Sequence, residues 1–409
     1  MKPTVLIAAT SQWATTARLA MALANAGCIV DAVCPSRHPL RKTSAVRQAH
    51  SYGGLTPLKS FAAAITATRP DFLLSGDDPT TQHLHHLYYR ERRRGKEGAL
   101  ICALIEHSLG AAESFPVVYA RTTFIETAQE EGIRVPKTEV IENTDDLRRW
   151  VDRMGFPTVL KANGTTGGEG VRIVHTLEDA ELAFRTLQAP PLLARAVKRA
   201  LVDGEEALVW PSLLRRRSVV NAQVFVAGRE ATSAIACWKG SAMASLHFEV
   251  LIKGYSAGPA TVMRLIDNAE MSAAAEKMAR RLKLSGLHGF DFMLESETGN
   301  PYLIEINPRA TQVGHLSLGP GRDLPAALYA AVSGQAVKAA PTVTENDTIA
   351  LFPQEWTRDP ASPFLRSGYH DVPWEEPELV RACLRSRRKW IAWRSQQTRI
   401  KTFSAVRLP

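Results

Sequence analysis

Residues 289–307, GFDFMLESETGNPYLIEIN, read as two strands joined by a glycine-containing turn. Aromatic and β-branched residues fill both arms, which suits a pleated sheet. A three-residue loop, Glu297-Thr298-Gly299, fits the pattern, with Gly299 taking the left-handed position. That register sets Asp291 opposite Glu305, and opposed residues share a face with Cβ atoms about 5 Å apart. Strict alternation groups Leu303, Glu305 and Asn307 on one face and Tyr302, Ile304 and Ile306 on the other. Two carboxylates this close repel, so something positive must offset them. A hard divalent cation is the obvious partner, because Mg²⁺ takes oxygens from one or two carboxylates plus substrate phosphates. An amide oxygen from Asn307 completes such a set. The plainer alternative is a solvent-facing hairpin whose acids pair with Lys or Arg.

A second motif lies upstream. TVLKANGTTGGEGVRIVH (158–175) carries Gly164, Gly167, Gly168 and Gly170 between two strands. No GK[ST] and no helix follow, so this is not a P-loop. A hairpin with a glycine-rich tip behaves as a flap whose backbone N–H groups close over phosphate oxygens. Lys161 enters that flap on a strand, placed to meet a phosphate as a point charge. A simple mobile hairpin is the alternative. Arg121 precedes a helix expected to be capped at Thr122 or Thr123. A cation is unfavourable at a helix N-terminus, which makes sense if Arg121 and the helix end both face an anion; plain surface exposure is the other reading.

The 409 residues allow two or three domains and an ample core. Residues 1 to about 115 alternate strand and helix, which implies parallel βαβ units. The first turn, ATSQWATT, lacks GxGxxG, so no dinucleotide fingerprint is present. Asp77-Asp78 follow a strand end, where α/β sheets place ligands, with loop capping as an equal explanation. The middle reads as helices and then hairpins: TVLKA with VRIVH, VVNAQVFVAG with EATSAIACWKG, and GFDFMLE with PYLIEIN. After about 335 the chain is rich in Pro, Trp and Arg, an extension expected to end in a basic helix.

Apolar runs fall short of the roughly 18 residues that span a bilayer, and the N-terminal stretch Val5–Ala9 reads as a first strand rather than a signal-peptide core. A cytoplasmic location follows as the expectation. The five cysteines are scattered, which favours buried thiols over a zinc site or a disulfide framework. Net charge is +9, which permits phosphate-bearing ligands without demanding them. The basic clusters are RERRRGK (90–96) and RACLRSRRKWIAWR (381–394). Peripheral membrane contact through 381–394 is the less favoured reading beside a solvated helix with packed tryptophans, and no nucleic-acid motif is present. Of the histidines, His288 should face away from Asp291, His315 follows Arg309 closely enough to meet a substrate, and His247 sits in a strand-like run.

These pieces in this order resemble the ATP-grasp superfamily, in its carboxylate–amine ligase branch. The resemblance spans roughly residues 115–335, with EINPR and its upstream Asp as the most specific match. It implies an α/β and α+β architecture in three parts: an N-terminal pre-ATP-grasp domain (1–115), the ATP-grasp domain (116–335, flap subdomain about 158–225), and an extension (336–409). It implies ATP as the nucleotide and Mg²⁺, with Mn²⁺ as a substitute, held by Asp291, Glu305 and Asn307. Lys161 and Arg121 match phosphate-binding positions, and Gly167 and Gly168 the flap tip. QVFVAGRE is similar to the family's hinge: Gln223 takes the adenine-side position, where Glu is commoner, Val226 offers backbone groups to adenine, and Glu230 matches the ribose-binding acid. Arg309 matches a basic position at the transferring phosphoryl or acyl group. The implied reaction activates a small-molecule carboxylate as an acyl phosphate and passes it to an amine. A phosphotransferase acting on a hydroxyl, or a non-catalytic nucleotide-binding module, are the alternatives.

Overall fold

Three sheets organise the chain in the computed structural model, which describes residues 2–163, 170–189, 217–254, 258–336 and 341–384. The first sheet is β1 (Thr4–Ala8), β2 (Ile29–Cys34), β3 (Val46–Ser51) and β4 (Phe72–Ser75), all parallel in the order β3-β2-β1-β4. Strands buried on both faces must be apolar, and β1 is so from Val5 to Ala8, the part that is buried. Val5 and Ile7 pack into one core, Leu6 and Ala8 into another. Helices α1 (Ala14–Ala26), α2 (Pro57–Thr68), α3 (Asp78–Arg92) and α4 (Ala99–Leu109) cover it. Parallel βαβ units are therefore as expected.

A second sheet is built from β5 (Thr138–Ile141), β6 (Thr158–Ala162), β7 (Val171–Val174) and β8 (Val220–Val224), in the order β5-β8-β6-β7. Helix α5 (Arg121–Glu130) precedes it, and α6 (Thr144–Met154) and α7 (Leu177–Gln188) supply its core. Trp150 of α6 is fully buried there, with its Nε1–H donating to Thr158 Oγ1 at 3.1 Å. Burying a side chain of this kind contributes about 1.5–3 kcal/mol, and the bond prevents an unpaired indole N–H from offsetting it.

The third sheet has seven strands: β9 (Gly228–Trp238), β10 (Ser241–Lys253), β11 (Ala260–Leu265), β12 (Gly286–Glu295), β13 (Pro301–Asn307), β14 (Thr348–Ala350) and β15 (Tyr369–His370). Their order is β13-β12-β9-β10-β11-β14-β15. Helix α8 (Ala269–Arg281) and α5 share a core on one face. Helix α9 (Leu324–Ser333) lies on the other with the first sheet and α1. Strands β14 and β15 belong to the segment after 335, so its described part completes the large sheet. No helix among the described residues is long and apolar enough to cross a membrane.

Three local expectations are corrected. VVNAQVFVAG and EATSAIACWKG do not form a hairpin: β8 pairs with β5 and β6, while β9 pairs with β10 and β12. Residues 225–227 thus step between two sheets. The helix after residue 120 begins at Arg121 itself, its N-cap is Ala120, and no threonine side chain caps it. The turn of the β12–β13 hairpin is longer by one residue than the three-residue loop: Glu295 N–H bonds Asn300 O, and Gly299 N–H bonds Glu295 O with φ +73°. The register is nevertheless Asp291 opposite Glu305, because Phe292 pairs with Leu303 and Ile304 is squeezed out as a bulge. That bulge breaks the alternation: Leu303 joins Ile306, Phe290 and Phe292 in the core, away from the face of Glu305.

The second basic cluster lies outside the described residues from 385 onward, so the expected terminal helix is described only to 384. In the first cluster, Arg90 and Arg94 both pair with the buried Glu91, at 2.6 and 2.9 Å.

Candidate active site

The acids and bases singled out above meet where β12 and β13 approach β6 and the first residue of α5. Asp291 Oδ1 accepts from Thr232 Oγ1 at 2.8 Å, and its Oδ2 accepts from Asn307 Nδ2 at 2.8 Å. Across the ladder, Arg121 Nη1 donates to Glu305 Oε2 at 2.5 Å. Gly289 faces Asn307, and a Cβ there would run into the Thr311 side chain and touch Asn307 Cβ at 3.4 Å. Glycine at 289 therefore lets the loop after β13 close down on the site.

The charges feel one another. Burial, and then Glu305, push the Asp291 carboxyl up to about 6. Burial works in the same direction on Glu305, but Arg121 and Lys161 outweigh it and hold that carboxyl below its usual range. Lys161, on β6, is buried. Burial and the neighbouring Arg121 draw its ammonium down to about 8, against the pull of Glu305, Asp291 and Glu230. Lys161 thus shares one cleft with both carboxylates.

Asn221 of β8 fastens the two cationic elements together. It accepts from Thr122 Oγ1 at 2.7 Å and donates to Asn163 Oδ1 at 2.8 Å and Lys161 O at 3.3 Å. Gln223, two residues on and buried, donates to Thr138 Oγ1 at 2.9 Å. Val226 is in the step between the sheets. Glu230, on β9, pairs with Lys253 at 2.7 Å. Gly167 and Gly168 lie outside the described residues, together with the rest of 164–169 at the expected flap's tip and 190–216 further along.

Arg309 stands on the far side of Asn307. Its Nη2 donates to Asn307 Oδ1 at 3.0 Å, its Nε to Asp78 Oδ2 at 3.0 Å and its Nη1 to Ala310 O at 3.2 Å. The guanidinium lies over the Trp13 ring, 4.7 Å from the centroid, a cation–π distance. Asp77 is a cap, accepting from Thr80 N–H at 2.9 Å and from the Thr10 and Ser11 N–H groups. The two explanations for Asp77-Asp78 therefore divide between them: one acid caps, the other faces Arg309. Trp13, Asp78, Asn221 and Thr232 carry no motif. Their hydrogen-bond partners are 58 to 231 residues away, and Trp13 and Arg309 are farther apart still, so only the fold brings them in.

The histidines are structural neighbours of the site. His288 is buried with Nε2 at 2.8 Å from Ser285 O, and the period-two alternation of β12 sets it on the face away from Asp291, as expected. His315 Nε2 is 2.5 Å from Asp371 Oδ2, and Arg18 binds the same buried carboxylate. His247 is surrounded by Ser233, Ser245 and Ser272. Among the described residues, no three His, Cys, Asp or Glu side chains form a ready-made metal cluster.

Residues 120–317 match the family model "Carbamoyl-phosphate synthase L chain, ATP binding domain". The large chain of carbamoyl phosphate synthase from Ralstonia nicotianae is 26% identical over 226 residues, 53% of this chain and 19% of that protein. The Thermus thermophilus large chain is 25% identical over 201 residues, 48% of this chain and 18% of that protein. The chain thus spans under a fifth of the length of these relatives. Phosphoribosylamine–glycine ligase of Ralstonia nicotianae is 36% identical over 83 residues, 19% of this chain and 20% of that protein. Among solved structures, N5-carboxyaminoimidazole synthetase of Staphylococcus aureus superposes with TM-score 0.57 at 15% identity, over 83% of this chain and 80% of that one. The biotin carboxylase domain of Hydrogenobacter thermophilus 2-oxoglutarate carboxylase gives 0.58 at 15%, over 83% and 71%. The family match runs from α5 to the loop beyond β13, just under half of the chain but over every strand that lines the cleft, and the fold is shared with the solved structures well outside it: the resemblance to the ATP-grasp superfamily is borne out.

Proposed function

We propose that the protein is an ATP-dependent ligase that activates a carboxylate as an acyl phosphate and transfers the acyl group to an amine. The observation that carries this reading is Asp291 opposite Glu305, with Asn307 beside them and Lys161 and Arg121 in the same cleft. Phosphoryl transfer needs charge neutralisation and alignment more than covalent help, and the cleft offers both.

The donor set fits magnesium. Two carboxylates and a carboxamide meet there. Asn307 presents Nδ2 to Asp291 and Oδ1 to Arg309, so its amide would turn over to give a metal oxygen. Burial first, then Glu305, raise the Asp291 carboxyl, a penalty that a cation would relieve. Asp291, Glu305 and Asn307 would hold Mg²⁺ or Mn²⁺, and the metal would neutralise charge on the nucleotide's terminal phosphates. Lys161 and Arg121 would bind those phosphates from the other side, with Gly167 and Gly168 closing over them. Gln223 and Val226 would line the adenine, Glu230 would bind the ribose hydroxyls, and Arg309 would steady the transferring group. Lys161 with a lowered pKa keeps its proton when bound phosphate restores the negative charge around it. Closure would keep water from the acyl phosphate, whose hydrolysis is the competing reaction.

The domain limits follow from the same reading: 1–115 before the ATP-grasp domain, 116–335 for that domain, and 336–409 beyond it. Substrates are proposed to be a small carboxylate and a small amine, met in the cytoplasm, with no nucleic acid involved. Relatives widen the choice: the carboxylase-domain structure contains Mg-ADP and bicarbonate, and an Aspergillus clavatus synthase structure contains ADP and 5-aminoimidazole ribonucleotide. The experiment is phosphate release from Mg-ATP across a matrix of carboxylates, bicarbonate included, against amines, with Glu305→Gln as control. ADP and phosphate released only when both partners are present supports the ligase. ATP consumed without free phosphate points to a phosphotransferase, and nucleotide binding without turnover to a binding module.

A further inference from the structure

Arg309 is gripped by the N-terminal sheet as well as by its own strand. Asp78 opens α3 just beyond β4, and Trp13 ends the turn after β1. β1 and β4 are neighbours, and the strand order reverses at β1, where open α/β sheets take ligands. Both turns are fastened to the loop that carries Arg309. Thr81 Oγ1 donates to Pro308 O at 2.8 Å, and Ala310 N–H donates to Ser75 O at 3.2 Å. Asp77 ties the two turns to each other through Thr10 and Ser11.

The side chains divide the work by chemistry. Asp77 is occupied by cap bonds, and Asp291 by Thr232 and Asn307. Asp78 binds Arg309 while a fifth of its side chain stays open, 20% against 11% for Arg309. The pair therefore lines a reachable crevice. A guanidinium fixed at Nε by a carboxylate and on one face by an indole has few orientations left. Without Asp78, the acids left beside Arg309 are Asp291 and the cap-bonded Asp77, and the guanidinium would be drawn towards them and away from its place beside Trp13.

We propose that Asp78 and Trp13 are positioning residues for Arg309, holding its guanidinium over the crevice between the β1 and β4 turns and aimed at the anion the site activates. The proposal deepens the ligase reading and rests on it, because Arg309 there meets the transferring group. It also gives the N-terminal sheet a defined part in the reaction: its switch point orients the cation that faces the reacting anion.

The test uses the full chain with Mg-ADP, and inorganic phosphate as the probe for the transferring group. Trp13 emission, taken as the difference between the wild type and Trp13→Phe, reports the cation above the ring. Phosphate added to the Mg-ADP complex should shift that emission. Asp78→Asn should weaken phosphate binding by roughly tenfold or more, the size of one charge-assisted hydrogen bond, with Mg-ADP affinity held within about twofold. Asp78→Glu, which keeps the charge, should recover a substantial part. Loss of Mg-ADP affinity in parallel would mean a merely structural role and overturn the proposal. So would unchanged phosphate affinity in Asp78→Asn, or no phosphate signal in the wild type. Phosphate release from ATP reads the ligase assignment separately: if no substrate pair turns over while phosphate and Asp78 behave as described, the ligase reading fails and the positioning of Arg309 stands.

Discussion

Arg121 Nη1 lies 2.5 Å from Glu305 Oε2, joining the first residue of α5 to β13 across 184 positions of chain. One of the two facing acids thus already carries an internal cation. Glu305→Gln keeps the shape and removes the charge. Arg121 and Lys161 would then share a cleft with one carboxylate instead of two. Turnover in the phosphate-release assay should fall by on the order of 100-fold or more, as when a preorganised charge partner is lost. The Glu305 side chain is 29% exposed, so the stability loss should be modest, about 1–2 kcal/mol by urea unfolding, below that of a fully buried pair.

The pH dependence of the ligand-free protein should betray Asp291. Its native carboxyl keeps its proton up to about 6, against a reference value of 3.8. Between those values the native state binds more protons than the unfolded state, so stability falls as pH rises through the window, and the loss is complete above it. Asp291→Asn removes that loss. It should raise the melting temperature near neutral pH, by at most about 3 kcal/mol of stability for this partly buried group, and leave it almost unchanged near pH 4. At the proposed metal site magnesium would compete with the same proton, so Mg-nucleotide affinity in the wild type should rise as pH climbs through about 6.

Lys161 gives the mirror case. Its native ammonium loses a proton near 8, against a reference value of 10.5. Between those values the unfolded state binds more protons, so stability rises with pH across the window, and below it the cost of the buried charge is fully present. Lys161→Met should therefore stabilise the ligand-free protein at neutral pH. The same change should weaken Mg-ATP binding by about 10- to 100-fold, since charge-assisted bonds to phosphate are lost. Thermal melts separate the two effects: Mg-ATP should raise the melting temperature of the wild type, and the variant should start higher and respond less.

The parts of this molecule legible in sequence were those written in local pattern. Buried parallel strands, the β12–β13 hairpin and Gly299 in its turn follow from periodicity and turn chemistry, whereas the Asp291–Glu305 pairing, expected from a three-residue loop, holds only because the bulge at Ile304 offsets the extra turn residue. Arg121 and Lys161 were legible as cations in odd places. The divergence of β8 and β9 was not, because an apolar strand, a short polar step and another strand read alike whether the chain folds back or crosses to a new sheet. Trp13, Asp78, Asn221 and Thr232 were hidden for another reason: each acquires meaning from a partner that only tertiary structure supplies.

The bulge at Ile304 separates pattern from packing most sharply, and it can be tested. Unbroken alternation would place Leu303 with Glu305 on the site face and Ile304 with Ile306 in the core. The structure instead buries Leu303 completely and leaves Ile304 partly exposed. Leu303 packs among Phe290, Phe292 and Ile306, so Leu303→Ala leaves a cavity and should cost about 2–5 kcal/mol. Ile304→Ala removes a similar volume from a half-open position and should cost less than half as much. Urea unfolding of the two variants decides between the arrangements. A larger loss for Ile304 would mean a regular ladder, and with Leu303 on the face of Glu305 the acids would lose the polar surface on which a metal could reach them.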